Sequence, residues 1–140
     1  MGIQGEPFEF HATLRQLEEG LDILHESIKR LREKTGRGQD DHNLMLFELA
    51  VAEIGSNVLT HGRETAVIEP PVDYRLWLEA ETALASFAGL GPAVRESLGP
   101  SMPSRTSETG RGLALAHSVL DELAYEREGD VNRWRLVKRL

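Results

Sequence analysis

The sequence predicts an α+β domain, a two-layer α/β sandwich in which a mostly antiparallel sheet is covered by helices on one face. Three observations lead there. In two long segments apolar residues recur every three or four positions, which marks helices packed along one side. Several short segments alternate strictly between apolar and polar residues, the period of half-buried strands. The elements run strand, two helices, two strands, a long loop, helix, two strands along 140 residues, an order that one sheet with helices on a single face accommodates. The length fits one domain, residues 1–140.

"FEFHAT" alternates Phe8, Phe10 and Ala12 with Glu9, His11 and Thr13 and reads as a strand. Thr13 followed by Gln16 is a capping-box pattern, after which Leu14, Leu17, Leu21, Leu24, Ile28 and Leu31 keep helical spacing. This helix is expected to stop at "KTGRGQDD", where Gly36 and Gly38 break the pattern and Asp40 or Asp41 can cap the next helix. The second helix carries Leu44, Phe47, Val51, Ile54 and Val58 on one face, with Gly62 a natural C-cap. After Pro70 and Pro71, "VDYRLWLEA" alternates Val72, Tyr74, Leu76 and Leu78 with Asp73, Arg75, Trp77 and Glu79, and "TALASFAGLG" reads as a more buried strand ending in glycines. Residues 92–109 are rich in Pro, Ser, Gly and Thr, lack a period, and are expected to form a mobile lid within the domain. "GRGLALAHSVLDELA" resumes as a helix opened by glycines, with Leu113, Ala116, Leu120 and Leu123 inward. "YEREGDVNRWRLVKRL" closes the chain as a hairpin turning at Gly129 and Asp130.

Composition narrows the function. Lys and Arg number 16 against 23 Asp and Glu, a formal net charge of -7, which opposes binding of bare nucleic acid through phosphate neutralisation. With no cysteine, disulfides and thiolate metal sites are excluded. The N-terminal "MGIQGEPFEF" lacks the basic flank and apolar run of a signal peptide, and Glu6 breaks the myristoylation pattern. The longest uncharged stretch, Thr82 to Val94, is too short to span a bilayer. These features give the expectation of a cytoplasmic protein without membrane or direct nucleic-acid contact.

Glu53, Asn57 and His61 recur at four-residue spacing, one stripe flanking the apolar face of the second helix. A solvated helix edge explains such a stripe. The functional alternative is a carboxylate base beside an amide oxygen that binds a divalent metal, since magnesium takes few protein oxygens and completes its shell with water and phosphate. Two glycine clusters follow, Gly89 with Gly91 and Gly110 with Gly112. The second stands before a helix, where backbone N–H groups and the helix dipole favour an anion; a tight turn explains a lone G-x-G equally well. A dinucleotide fingerprint fits poorly, because neither cluster has the third glycine and the acidic residue at the right distance.

Taken in order, a helix with E-x-x-x-N, a strand ending in x-x-G-x-G, a Ser/Pro-rich lid and a G-x-G helix start resemble the Bergerat-fold (GHKL) ATPases, the superfamily of gyrase, Hsp90 and histidine kinases. Within it the chain resembles the small anti-sigma-factor serine kinases, from Phe8 to Leu140. "LAVAEIGSNVLTHG" is similar to the family's N-box, "TGRGLALAHSVLDELAYE" to its second glycine box and following strand, and "VNRWRLVKRL" to its closing strand. The resemblance implies Glu53 as general base for a substrate serine hydroxyl and Asn57 as magnesium ligand, with His61 near the phosphate end. It implies that Gly110 and Gly112 bring the lid close to the triphosphate of ATP, with Arg111 a cation beside it and Leu113 next in the same box. Phe87, Gly89 and Gly91 occupy the first glycine box, where the family has D-x-G-x-G. Phe87 replaces the Asp that accepts a hydrogen bond from the adenine amino group, and no Asp occurs between Asp73 and Asp121. An adenine amine buried there without its partner loses about 1–3 kcal/mol.

The resemblance thus implies an ATP- and magnesium-dependent serine kinase that binds an alternative sigma factor, phosphorylates a STAS-domain anti-anti-sigma protein and forms a homodimer. The alternative is a nucleotide-independent anti-sigma factor or adaptor on the same fold. His25, in "LHES", reads as an ordinary surface residue. Trp77 and Trp134 alternate out of step with neighbouring apolar residues and are expected to pack against a covering loop.

Overall fold

The computed structural model describes residues 7–60, 71–90 and 108–140, the side chains of the last segment from Leu113 onward. Five strands form one sheet: β1 (Glu9–Leu14), β2 (Val72–Glu79), β3 (Thr82–Leu90), β4 (Glu122–Glu128) and β5 (Val131–Arg139). Their order is β1-β2-β3-β5-β4, and every neighbouring pair is antiparallel. Among the described residues three helices cover one face: α1 (Leu17–Thr35), α2 (His42–Thr60) and α3 (Glu108–Val119). Both α1 and α3 pack on α2, which lies between them.

The register lines up one row of side chains across the covered face. Ala12 pairs with Tyr74, Tyr74 with Phe87, Phe87 with Trp134, and Trp134 with Tyr125. The rings meet at centroid distances of 5.1 Å for Tyr74 and Phe87 and 4.8 Å for Tyr125 and Trp134. Such pairs contribute roughly 0.5–1.5 kcal/mol each beyond area burial. Above this row the helices supply Leu24, Ile28 and Leu31 from α1 and Phe47, Val51 and Ile54 from α2, all buried. The opposite face carries charge: Arg75 donates to Glu9 at 2.6 Å, and His11 lies 2.5 Å from Asp73.

The expected elements form, with shifts at their ends. Thr13 and Leu14 belong to β1, and α1 opens at Leu17 after Gln16, whose side chain makes no capping bond. The capping box read at Thr13 is therefore corrected: pairing of Thr13 with Asp73 and of Leu14 with Val72 holds both residues in the sheet. Gly36 closes α1 as expected, at φ 75 with its N–H bonded to the Arg32 carbonyl at 2.9 Å, a left-handed conformation that glycine adopts without strain. Of the two aspartates considered as the next cap, Asp41 does the work, its Oδ1 accepting the Leu44 N–H at 2.9 Å.

α3 begins at Glu108, so Gly110 lies in its first turn and Gly112 at the start of its second, and neither stands before it. It ends at Val119, and Leu123 sits in β4, where the sequence placed it on the helix. Strand pairing overrides helical spacing there: the Asp121 N–H bonds to the Val137 carbonyl at 2.9 Å, and the Asp121 carboxylate accepts the Arg139 N–H at 2.6 Å. The final hairpin turns through Gly129 and Asp130, with Gly129 at φ 63. Trp134 is buried in step with Leu136 and stacks on Tyr125, a strand of the sheet and not a loop. Trp77 lies on the open face beneath the Arg75 guanidinium, 4.7 Å from its ring centroid, and its indole N–H donates to Glu79.

Candidate functional site

The candidate site is built on α2. Asp41 fixes its start: one carboxylate oxygen accepts the Leu44 N–H, and the other accepts the Arg37 guanidinium at 2.8 Å. These two partners, the backbone N–H first, hold the Asp41 carboxyl below its ordinary value. At the far end the Thr60 hydroxyl donates to the Ser56 carbonyl at 2.8 Å. The apolar stripe Leu44, Phe47, Val51 and Ile54 is fully turned to the sheet, which rotates Glu53 and Asn57 to the half-buried flank of the helix, one turn apart.

Asn57 Nδ2 is buried and has no hydrogen-bond partner among the described residues. A buried amide left unpaired is uncommon in a folded chain and costs about 1–3 kcal/mol. The unpaired N–H donor suits an acceptor oxygen, such as that of a phosphate. Among the described residues no three His, Asp or Glu gather into a metal cluster, so an ion bound here would have to take most of its shell from phosphate and water.

Gly55, between Glu53 and Asn57, faces the sheet and the Phe87 ring. A Cβ built on Gly55 would lie 3.2 Å from Phe87 Cζ and 2.4 Å from Leu24 Cδ1. Phe87 is fully buried, with Tyr74 on its other side. It presents neither a hydrogen-bond acceptor nor a free ring face at the position that the resemblance gives to the adenine-contacting carboxylate. The adenine end therefore does not fit ATP as the family holds it, whereas the unpaired donor of Asn57 suits a phosphate oxygen. Sequence reasoning named Phe87 and missed Gly55, although a glycine on the apolar face of a helix was a visible signal.

Gly89, in the first glycine box, passes close to β2: a Cβ there would lie 3.1 Å from Val72 Cγ2. Close strand packing alone accounts for that glycine. Leu113 and Ala116 are buried on the inner face of α3, so Leu113 is a core residue beside the site. Gly110, Arg111 and Gly112 are described as helical backbone only. His61, Gly62, Gly91 and residues 92–107 of the lid expected over 92–109 lie outside the described residues, and the last two residues of that span, Glu108 and Thr109, open α3 instead. His25 is on the surface as expected, its Nδ1 2.8 Å from Glu48 on α2. No described helix is long and apolar enough to cross a membrane.

No curated protein matches the chain. Among solved structures, the fold is similar to a crystal structure of the RsbU and RsbW domains of Rv1364c from Mycobacterium tuberculosis, with a TM-score of 0.61 at 20% identity. The match covers 95% of this chain and 32% of that one, so the chain spans about a third of the solved protein. A sequence profile of the histidine kinase-like ATPase domain matches residues 10–138, from β1 to β5. The chain belongs to the histidine kinase-like ATPase domain family.

Proposed function

We propose that the chain is an anti-sigma-type regulator that binds an alternative sigma factor and gives it up to a STAS-domain antagonist, acting by contact. The family match, the N-box-like "LAVAEIGSNVLTHG" and the likeness of fold to a structure containing an RsbW domain support the anti-sigma reading. The observation that carries action by contact is the burial of Phe87. A complete fold that lacks the adenine-binding carboxylate favours binding of partners over transfer of phosphate.

The test is direct. The purified chain, freed of nucleotide, is mixed in turn with each alternative sigma factor of its source organism, and complexes are separated by size. One sigma factor should co-elute, and a STAS-domain protein from the same organism should displace it. Failure of every sigma factor to co-elute, with and without nucleotide, would remove this reading.

A second reading is favoured by the unpaired N–H donor of Asn57, which suits a phosphate oxygen: an ATP- and magnesium-dependent serine kinase, with the family resemblance giving Glu53 as general base and Asn57, through its amide oxygen, as metal ligand. Phosphoryl transfer needs chiefly positioning, charge neutralisation and a base within reach of the attacking hydroxyl. His61, Gly110, Arg111 and Gly112 would then serve the phosphate end. Mass spectrometry of the STAS protein after incubation with magnesium and ATP separates the two readings. A phosphoserine that disappears with Glu53→Ala would establish the kinase.

A further inference from the structure

Three elements hem in the Phe87 ring. Tyr74 of β2 stacks at 5.1 Å, its own position set by the hydroxyl of Ser27 on α1 at 2.7 Å. Gly55 of α2 faces the ring edge, where a Cβ would lie 3.2 Å from Cζ and 3.4 Å from Cε1. Leu24 of α1 closes the same gap, with Cδ1 2.4 Å from that Cβ position. The volume that a side chain at position 55 would need is thus shared by Phe87 and Leu24. Swinging the ring out to admit a base would leave a ring-sized void under two helices, and close-packed interiors resist such voids.

We infer that Phe87 and Gly55 are a matched pair that closes the adenine subsite with the chain's own side chain, so that adenine nucleotides are not ligands of this domain. The inference rests on the contact reading above and assigns it a structural cause. Glycine at 55 costs helix stability relative to alanine; the space it yields to the Phe87 ring offsets that cost. A purine entering here would find no acceptor at position 87 for its amino group, which would be left unpaired.

Two measurements on the full chain test the pair. In calorimetry, adenosine and magnesium-ATP at millimolar concentration should give no binding heat. In urea unfolding, Gly55→Ala should lower the midpoint in the wild-type background and lower it clearly less in a Phe87→Leu background, and Gly55→Ala in a Leu24→Ala background measures the part of the shift that belongs to Leu24. Submillimolar binding of adenosine or magnesium-ATP by the wild type would overturn the inference, as would equal shifts of the midpoint in the wild-type and Phe87→Leu backgrounds. Capture of a sigma factor together with ATP binding would overturn the inference and leave the anti-sigma reading standing. Absence of both capture and binding would overturn that reading and support the closed subsite.

Discussion

The Ser27 hydroxyl oxygen lies 2.7 Å from the Tyr74 phenol oxygen and ties α1 to β2 inside the core. Ser27 also donates to the Leu24 carbonyl at 2.6 Å, so in this arrangement the Tyr74 hydroxyl is the donor to Ser27. Burial holds the Tyr74 phenol well above its ordinary value, with the Ser27 bond opposing that shift, and the ring stays neutral across the physiological range. The two partners are therefore unequal. Ser27→Ala strands a buried phenol and should cost about 1–3 kcal/mol. Tyr74→Phe leaves Ser27 bonded to Leu24 and should cost about 1 kcal/mol. The double variant should fall near Tyr74→Phe, and urea unfolding of all three checks the order.

Ala80 turns the β2–β3 hairpin at φ 54, a left-handed conformation in which its Cβ is crowded. The turn is two residues long, since Glu79 pairs with Thr82, and such turns favour glycine or asparagine at positive φ. Ala80→Gly should raise stability by about 1 kcal/mol, the relief of crowding exceeding the added freedom of the unfolded chain. A lower unfolding midpoint would mean that the turn is not strained.

Much of the sheet was legible because strand alternation reports burial directly. Val72, Tyr74 and Leu76 are buried as their alternation requires, and the hairpin turns at Gly129 and Asp130 as read. The errors fall where one residue satisfies two patterns. Leu14 and Leu123 both fit a helical stripe, and long-range pairing with Val72 and Leu136 takes them into strands. Trp134 is in step with Leu136 two residues on; it looked out of step only when counted against Val131 and Val137, which lie on the other face and are only partly buried.

The candidate site was legible in part for the same reason. Helical spacing alone puts Glu53 and Asn57 on one flank, and the structure puts them there. The fate of Phe87 was not legible, because it depends on a void above Gly55 from a distant part of the chain. Read alone, Phe87 left room for a base stacked on its ring; packed under Gly55 and beside Tyr74, the ring has no free face.

Asp41 predicts a response to acid. Its carboxyl is held below the ordinary value of 3.8 by the Leu44 N–H and then by Arg37, so the folded chain binds that proton less readily than the unfolded chain. The stability it contributes is complete above the ordinary carboxylate range and is lost as the pH falls below that value. Asn at this position keeps a capping oxygen and removes the titration. Urea midpoints of the wild type and Asp41→Asn should therefore differ most at neutral pH and converge as the pH falls below the ordinary value of 3.8. A difference that grows in acid would contradict the assignment.

Asn57 sets ligand binding against stability. Its Nδ2 is buried without a partner among the described residues, and asparagine is a poorer helix former than leucine. In a chain selected for stability alone, both facts count against it. Asn57→Leu, close in volume and apolar, should remove the unpaired donor and improve helix propensity, raising stability by about 1 kcal/mol. The same change should weaken whatever function the amide serves, so that a higher unfolding midpoint accompanies reduced phosphate transfer or reduced exchange between sigma factor and antagonist. If Asn57→Leu instead lowers the midpoint, the amide is held by a partner within the chain, and the case for a phosphate-and-metal ligand at this position falls.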